Sequence, residues 1–224
     1  MRWLLLMWIV LACGAASGEV APGPQPDIVG VLHRSQQVQL DAMTPADAAS
    51  PRALKVRESF DLLLRGLKSP ALSTVELRVM RGDMVGETLQ GHVVVANVAL
   101  ADLPEGERVF ILAHELGHVL LDHWSQMCTL YVKWVPGAVV QQHTDAIAGQ
   151  LGRDASALAY RQEFEADAFG LSALRALGLP DQHVMAAFMH LGWHNDTATH
   201  PGTRKRLAAL RSLAPHWQIG AVQP

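Results

Sequence analysis

Residues 109–124 read Val109-Phe-Ile-Leu-Ala-His114-Glu115-Leu-Gly-His118-Val-Leu-Leu-Asp-His-Trp124, and the His-Glu-x-x-His pattern inside an apolar run decides what kind of chain this is. At 3.6 residues per turn, His114 and His118 stand about 40° apart and one turn along a helix, so both imidazoles reach one ion. Glu115 flanks that ion without binding it. Leu112, Leu116 and Val119 take the opposite side, so one stripe faces a core and the other a cleft. Gly117 costs about 1 kcal/mol relative to alanine inside a helix, which makes sense where another element or a substrate backbone comes close. Glu105 and Glu107 lead in, with their charges at the positive end of the helix.

A second stretch, residues 160–180, reads as a helix closed by Gly178 and then Pro180. Glu163 and Asp167 are four apart and share a face with Gly170, Leu174 and Leu177, while Glu165 points elsewhere. A catalytic zinc with two histidine ligands needs a third protein ligand and keeps one position open for water, and a carboxylate from a separate helix completes such a site. Glu163 is the expected ligand. Asp167, one turn on, is placed to accept a hydrogen bond from the free ring nitrogen of a ligand histidine and so fix its tautomer. The expected cofactor is one Zn²⁺ per chain. His123 and His143 stay outside the site in this reading, because a histidine near a helix end commonly serves the helix dipole or solvent.

Three motifs in order, His-Glu-Leu-Gly-His at 114–118, Glu-Phe-Glu-Ala-Asp at 163–167 and Thr-His-Pro-Gly-Thr-Arg-Lys-Arg at 199–206, resemble the gluzincin peptidases of metallopeptidase family forty-eight. That family holds CAAX prenyl endopeptidases, the HtpX heat-shock peptidase and quality-control peptidases of the periplasm and mitochondria. The resemblance spans about residues 75–213. It implies that His114, His118 and Glu163 bind zinc, that Glu115 is the catalytic acid/base, and that His200 and Arg206 lie near the substrate or the tetrahedral intermediate. The chain lacks the multiple spanning helices of the integral-membrane members, so an exported soluble or lipid-tethered peptidase fits better than prenyl-protein processing. The run 108–121 also resembles the ImmA-type repressor-cleaving peptidases, which lack a His-Pro motif like that at 200–201.

The rest of the chain reads as scaffold and address. With 224 residues, 50% of them hydrophobic, and a formal net charge of −3, the chain suits one domain and argues against nucleic acid as a partner. The basic run at 203–206 is a solvated helix start. Helical patterns are expected over 28–43 and 51–67, with Ser50-Pro51 as cap and first position. In the second, Leu54, Phe60, Leu63, Leu64 and Leu67 form the apolar repeat. Strands are expected over 75–80 and 91–100 only, with a substrate lying along the latter. Residues 125–159 show no firm periodicity and are expected to lid or flank the cleft. Pro201 suits the first turn of a helix that packs Leu207, Leu210 and Leu213 inward. The fold class is α+β: a mostly helical zincin-like domain with a small sheet, an active-site helix and a glutamate helix.

At the start, Arg2, the apolar run 3–12 and small residues through Gly18 have the layout of a secretory signal. The apolar run is too short for a spanning helix, which needs about 20 residues. Residues 10–13, Val-Leu-Ala-Cys, offer a second reading, a bacterial lipobox whose Cys13 is lipidated and tethers the protein to a membrane. In either case Cys128 has no disulfide partner. The organisation expected is a signal over 1–18, a Pro/Gly linker over 19–27, a metallopeptidase domain over 28–214 and a tail over 215–224. The expected function is zinc-dependent endopeptidase action on unfolded or misassembled proteins of the cell envelope, with a protein or peptide as partner. The alternatives are a non-catalytic, zinc-containing, chaperone-like binding protein and an ImmA-like regulatory peptidase.

Overall fold

Helix α1 (Ile28–Ala42) begins at Asp27, whose carboxylate accepts the Gly30 N–H at 2.7 Å. The computed structural model describes residues 27–213. The signal over 1–18, the lipobox at Cys13, the linker through Pro26 and the tail over 215–224 lie outside the described residues. The two-residue strand β1 (Thr44–Pro45) then leads to α2 (Pro51–Leu67), where the Ser50 hydroxyl accepts the Ala53 N–H and proline sits in the first turn. The buried stripe of α2 is Ala53, Val56, Phe60 and Leu63. Phe60 and Leu63 of the expected repeat are buried and Leu64 and Leu67 pack against the core, but Leu54 is 46% exposed and its place at the start of the helix is taken by Ala53 and Val56.

Strands β2 (Glu76–Arg81), β3 (Gly86–Leu89) and β4 (Val93–Asn97) join β1 in a mixed sheet of order β1-β2-β4-β3. β4 runs parallel to β2 and antiparallel to β3. Because both neighbours are taken, β4 is buried along its whole length and reads as a continuous apolar run. Val93 and Val95 pack with Leu40 of α1, Met80 and Leu89, while Val94 and Ala96 join the main core with α2 and the active-site helix. Two expectations fail here. The strand over 91–100 ends at Asn97, whose side chain caps a 3₁₀ turn over Val98–Asp102, and a central strand has no free edge for a substrate. The edges belong to β1 and β3, and the one beside the active-site helix is β3, in a stretch expected as a connection. Its four residues, Gly86-Glu-Thr-Leu89, hold no alternation long enough to be read.

The active-site helix α3 (Glu105–Leu120) is buried from Gly106 through Gly117. It is followed by α4 (His123–Trp134), α5 (Gln141–Ala176), α6 (Gln182–Leu191) and α7 (Thr203–Leu213). α5 runs 36 residues, so the stretch 125–159 expected as irregular is α4, a short link and the first half of α5. Gly149 and Gly152 are tolerated within that helix at about 1 kcal/mol each. α7 begins at Thr203 rather than at Pro201, and it buries Leu207 and Leu210 while Leu213 is exposed. Among the described residues no helix is long and apolar enough to cross a membrane.

Glycines set the distance between α3 and α5. A Cβ at Gly117 would lie 3.2 Å from the Ala166 Cα, and one at Gly170 would lie 2.9 Å from the Phe110 ring. The helices run antiparallel, with Phe110 facing Gly170, His114 facing Asp167 and Gly117 facing Ala166. The close approach anticipated at Gly117 is therefore made by the helix that carries the carboxylates.

Candidate active site

His114, His118 and Glu163 each offer one ligand atom, and these atoms all lie within 4.8 Å of one another. His118 Nε2 stands 3.2 Å from His114 Nε2 and 3.6 Å from Glu163 Oε1, and His114 Nε2 is 3.7 Å from Glu163 Oε2. On the far side of each ring an acceptor is in place. Asp167 Oδ1 is 3.0 Å from His114 Nδ1, and the Nδ1 of a third imidazole, His123, is 2.9 Å from His118 Nδ1. With both Nδ1 protons engaged, two Nε2 lone pairs and a carboxylate converge on one point. That arrangement repels itself unless a cation sits there. Glu163 Oε2 is also buried without a hydrogen bond, although Arg206 Nη1 comes within 3.3 Å. Two neutral imidazoles and one carboxylate are the donor set of a catalytic zinc site that keeps an open position, and the cluster suits one zinc ion.

Burial, with His114 next, lowers the His118 pKa well below its usual value, which keeps the ring in the neutral, ligating form. At His114 burial acts the same way, but the Asp167 hydrogen bond and the nearby carboxylates outweigh it and raise the pKa. Asp167 is itself held low: burial opposes ionisation, and the Arg206 guanidinium overcomes it. Arg206 donates to both Asp167 oxygens, Nε at 2.8 Å and Nη2 at 2.6 Å, and lies over the Phe188 ring.

Glu115 is 7% exposed, one residue on from His114. Burial pushes its pKa up to about 7 against the pull of His114 and of a Thr88 hydrogen bond, and a cation at the cluster draws it back down. Thr88 Oγ1 lies 2.8 Å from the Glu115 carbonyl oxygen and 2.9 Å from Oε2. Thr88 and Gly86 therefore turn one face of β3 towards the glutamate. A Cβ at Gly86 would sit 3.0 Å from Glu115 Oε1, close enough that the carboxylate would have to shift.

His200 stands on the rim, its side chain 59% exposed, with Nε2 3.5 Å from Glu163 Oε1. Thr199 Oγ1 holds the other ring nitrogen at 2.8 Å. The structure thus brings His114, Glu115, His118, Glu163, Asp167, His200 and Arg206 together from α3, α5, the approach to α7 and α7 itself. His143 is not among the side chains of the cluster. Neither His123 nor Glu165 offers a ligand atom to the cluster, as expected. His123 is, however, buried at the start of α4 rather than at a helix C-terminus, and its Nε2 is 3.2 Å from Glu165 Oε2, so the two stand in line behind His118. Five residues apart on one helix, His118 and His123 would differ by about 140°. Asp122, in the left-handed conformation at φ 54°, breaks the helix between them and folds the second ring back against the first.

Against known proteins, no curated protein matches the chain. The model of peptidase family M48 matches residues 83–214, from the turn before β3 to just past α7. That span covers more than half of the chain and every residue of the cluster, so the chain belongs to peptidase family M48, the zinc metallopeptidases.

Proposed function

We propose that the protein is an exported zinc endopeptidase that cleaves unfolded or misassembled proteins of the cell envelope. The observation that carries the chemistry is the convergence of two imidazole lone pairs and the Glu163 carboxylate beside a buried, unligated glutamate. Zinc, when bound there, polarises the scissile carbonyl and acidifies the attacking water. Glu115 accepts the water's proton and hands it to the leaving amine. Thr88 holds Glu115 in place through its hydroxyl.

An extended substrate backbone adds to the free edge of β3. Asn97 N–H donates to the Val85 carbonyl, so by the alternation of antiparallel pairs Gly86 and Thr88 turn their amide groups away from β4. Backbone pairing of this kind gives affinity with little sequence selectivity and demands an unfolded partner. Beside this edge a cavity of about 160 Å³, lined by Thr88, Gly91, His118, Trp124 and Met127, offers room for one side chain. Because Gly86 abuts Glu115, Gly86→Ala is expected to displace the carboxylate and lower kcat up to about 10²-fold with zinc content unchanged. Steady-state kinetics beside metal analysis checks this.

Arg206 and His200 take different parts. The Arg206 guanidinium is occupied by Asp167 and Glu163, which supports a role in holding the ligand carboxylates rather than in touching an oxyanion. Arg206→Ala is expected to lose about 3–5 kcal/mol of stability, the cost of leaving a buried carboxylate unpaired, together with zinc. His200, on the rim, is the donor exposed to a substrate, and His200→Ala is expected to lower kcat by about 10²-fold with the melting temperature unchanged. Thermal melting and kinetics on the two variants distinguish these roles.

The secretory layout of residues 1–18 supports export, with either cleavage after Gly18 or lipidation of Cys13. Determining the amino terminus of the mature protein separates the two. The substrate class is tested by offering one protein in its folded and its reduced, unfolded form. Cleavage of the unfolded form alone is the expected result, and equal cleavage of both would contradict it.

A further inference from the structure

The two ligand histidines are backed differently. Behind His114 stands the carboxylate of Asp167; behind His118 stands His123, 3% exposed, with the two Nδ1 atoms 2.9 Å apart and the rings edge to face. Two imidazole nitrogens at that distance share one proton, so one ring donates and the other accepts. The direction follows from the cluster. His118 Nε2 faces His114 Nε2 and Glu163 Oε1, so to bind a cation it must carry the lone pair, and its proton sits on Nδ1. His123 Nδ1 is then the acceptor. The His123 proton is left on Nε2, and that atom lies 3.2 Å from Glu165 Oε2. Gln162 fixes the backbone of this ring by donating its amide N–H to the His123 carbonyl at 2.9 Å.

We propose that His123 and Glu165 form a relay of fixed polarity that positions the second zinc ligand. Glu165 accepts the His123 Nε2–H, His123 Nδ1 accepts the His118 Nδ1–H, and the His118 lone pair is held on the cluster. Both are positioning residues, since neither touches the ion or the substrate. The asymmetry between the two ligands has an electrostatic reason. Glu115, Glu163 and Asp167 are already buried around the cluster, and a fourth buried carboxylate would have to be desolvated beside them. A neutral imidazole passes the polarisation outward to Glu165, whose side chain is 43% exposed and keeps its hydration.

The relay rests on the zinc reading, and zinc affinity of the full chain tests it apart from turnover. Competition with a chromophoric chelator gives the zinc dissociation constant, and melting of the zinc-free proteins reports the fold. His123→Leu is expected to weaken zinc binding by about 10–100-fold. His123→Asn, whose side-chain oxygen can accept at the position of Nδ1 but which has no Nε2–H for Glu165, is expected to lose about three- to tenfold, less than the leucine variant. Glu165→Ala, at a half-exposed site, is expected to weaken zinc by about three- to tenfold, and to add nothing in the His123→Leu background. Wild-type affinity in His123→Leu or in Glu165→Ala, equal losses in the Leu and Asn variants, or additive losses in the double variant would each overturn the relay. If His123→Leu fails to fold, Glu165→Ala and His123→Asn decide alone. A wild-type protein that binds no zinc would instead overturn the metal site itself.

Discussion

Glu115→Gln is expected to keep its zinc and its fold and to lose peptide hydrolysis by about 10²–10⁴-fold, the usual worth of a positioned proton acceptor. The side chain is buried against Thr88 and lies next to a ligand histidine, yet the ligand set of His114, His118 and Glu163 is complete without it. Glutamine has the same shape and its amide oxygen still accepts from the Thr88 hydroxyl. It cannot take a proton from water. Burial works against a charged Glu115, raising its pKa to about 7, so the neutral amide is expected to fold at least as stably as the wild type. Hydrolysis measured beside metal content checks the pair of outcomes, and activity near that of the wild type would remove Glu115 from the mechanism.

The double variant His114→Ala, His118→Ala is expected to fall from about one zinc per chain to background. Only a single carboxylate would remain of the three-residue donor set, and a lone carboxylate does not make a zinc site. A second effect follows from mass action. Zinc binds the folded chain, so at about 1,000 times its dissociation constant it adds about 4 kcal/mol to wild-type stability. The melting temperature of the wild type should therefore rise with added zinc, and that of the double variant should not. A shared rise would show that the ion binds elsewhere.

The chemistry was legible because it is written at helical spacing. His114 with His118, and Glu163 with Asp167, are each four apart on strongly apolar helices, and Gly117 marked where the two helices meet. What stayed hidden depends on chain reversals. His123 joins the site through a left-handed Asp122, and no periodicity carries across such a break. β3 is too short for an alternating pattern, although as the free edge beside Glu115 it matters more than the apolar β4 that attracted the assignment. The resemblance places Arg206 near the substrate or the tetrahedral intermediate, and only the packing of α7 against α5 shows that its guanidinium is spent on Asp167 and Glu163. The first half of α5 was missed for a different reason: exposed on most sides, it has no apolar stripe to announce it.

Removing the metal and returning it shows whether this cluster is a zinc centre that hydrolyses peptide bonds. An unfolded protein is incubated with the wild type as purified, after chelation, and after addition of one equivalent of zinc, with Glu115→Gln carried through in parallel. Cleavage that disappears on chelation, returns with about one zinc per chain and is absent throughout in the variant is the predicted result. Cleavage that survives complete removal of zinc, or that Glu115→Gln performs as well as the wild type, would contradict it.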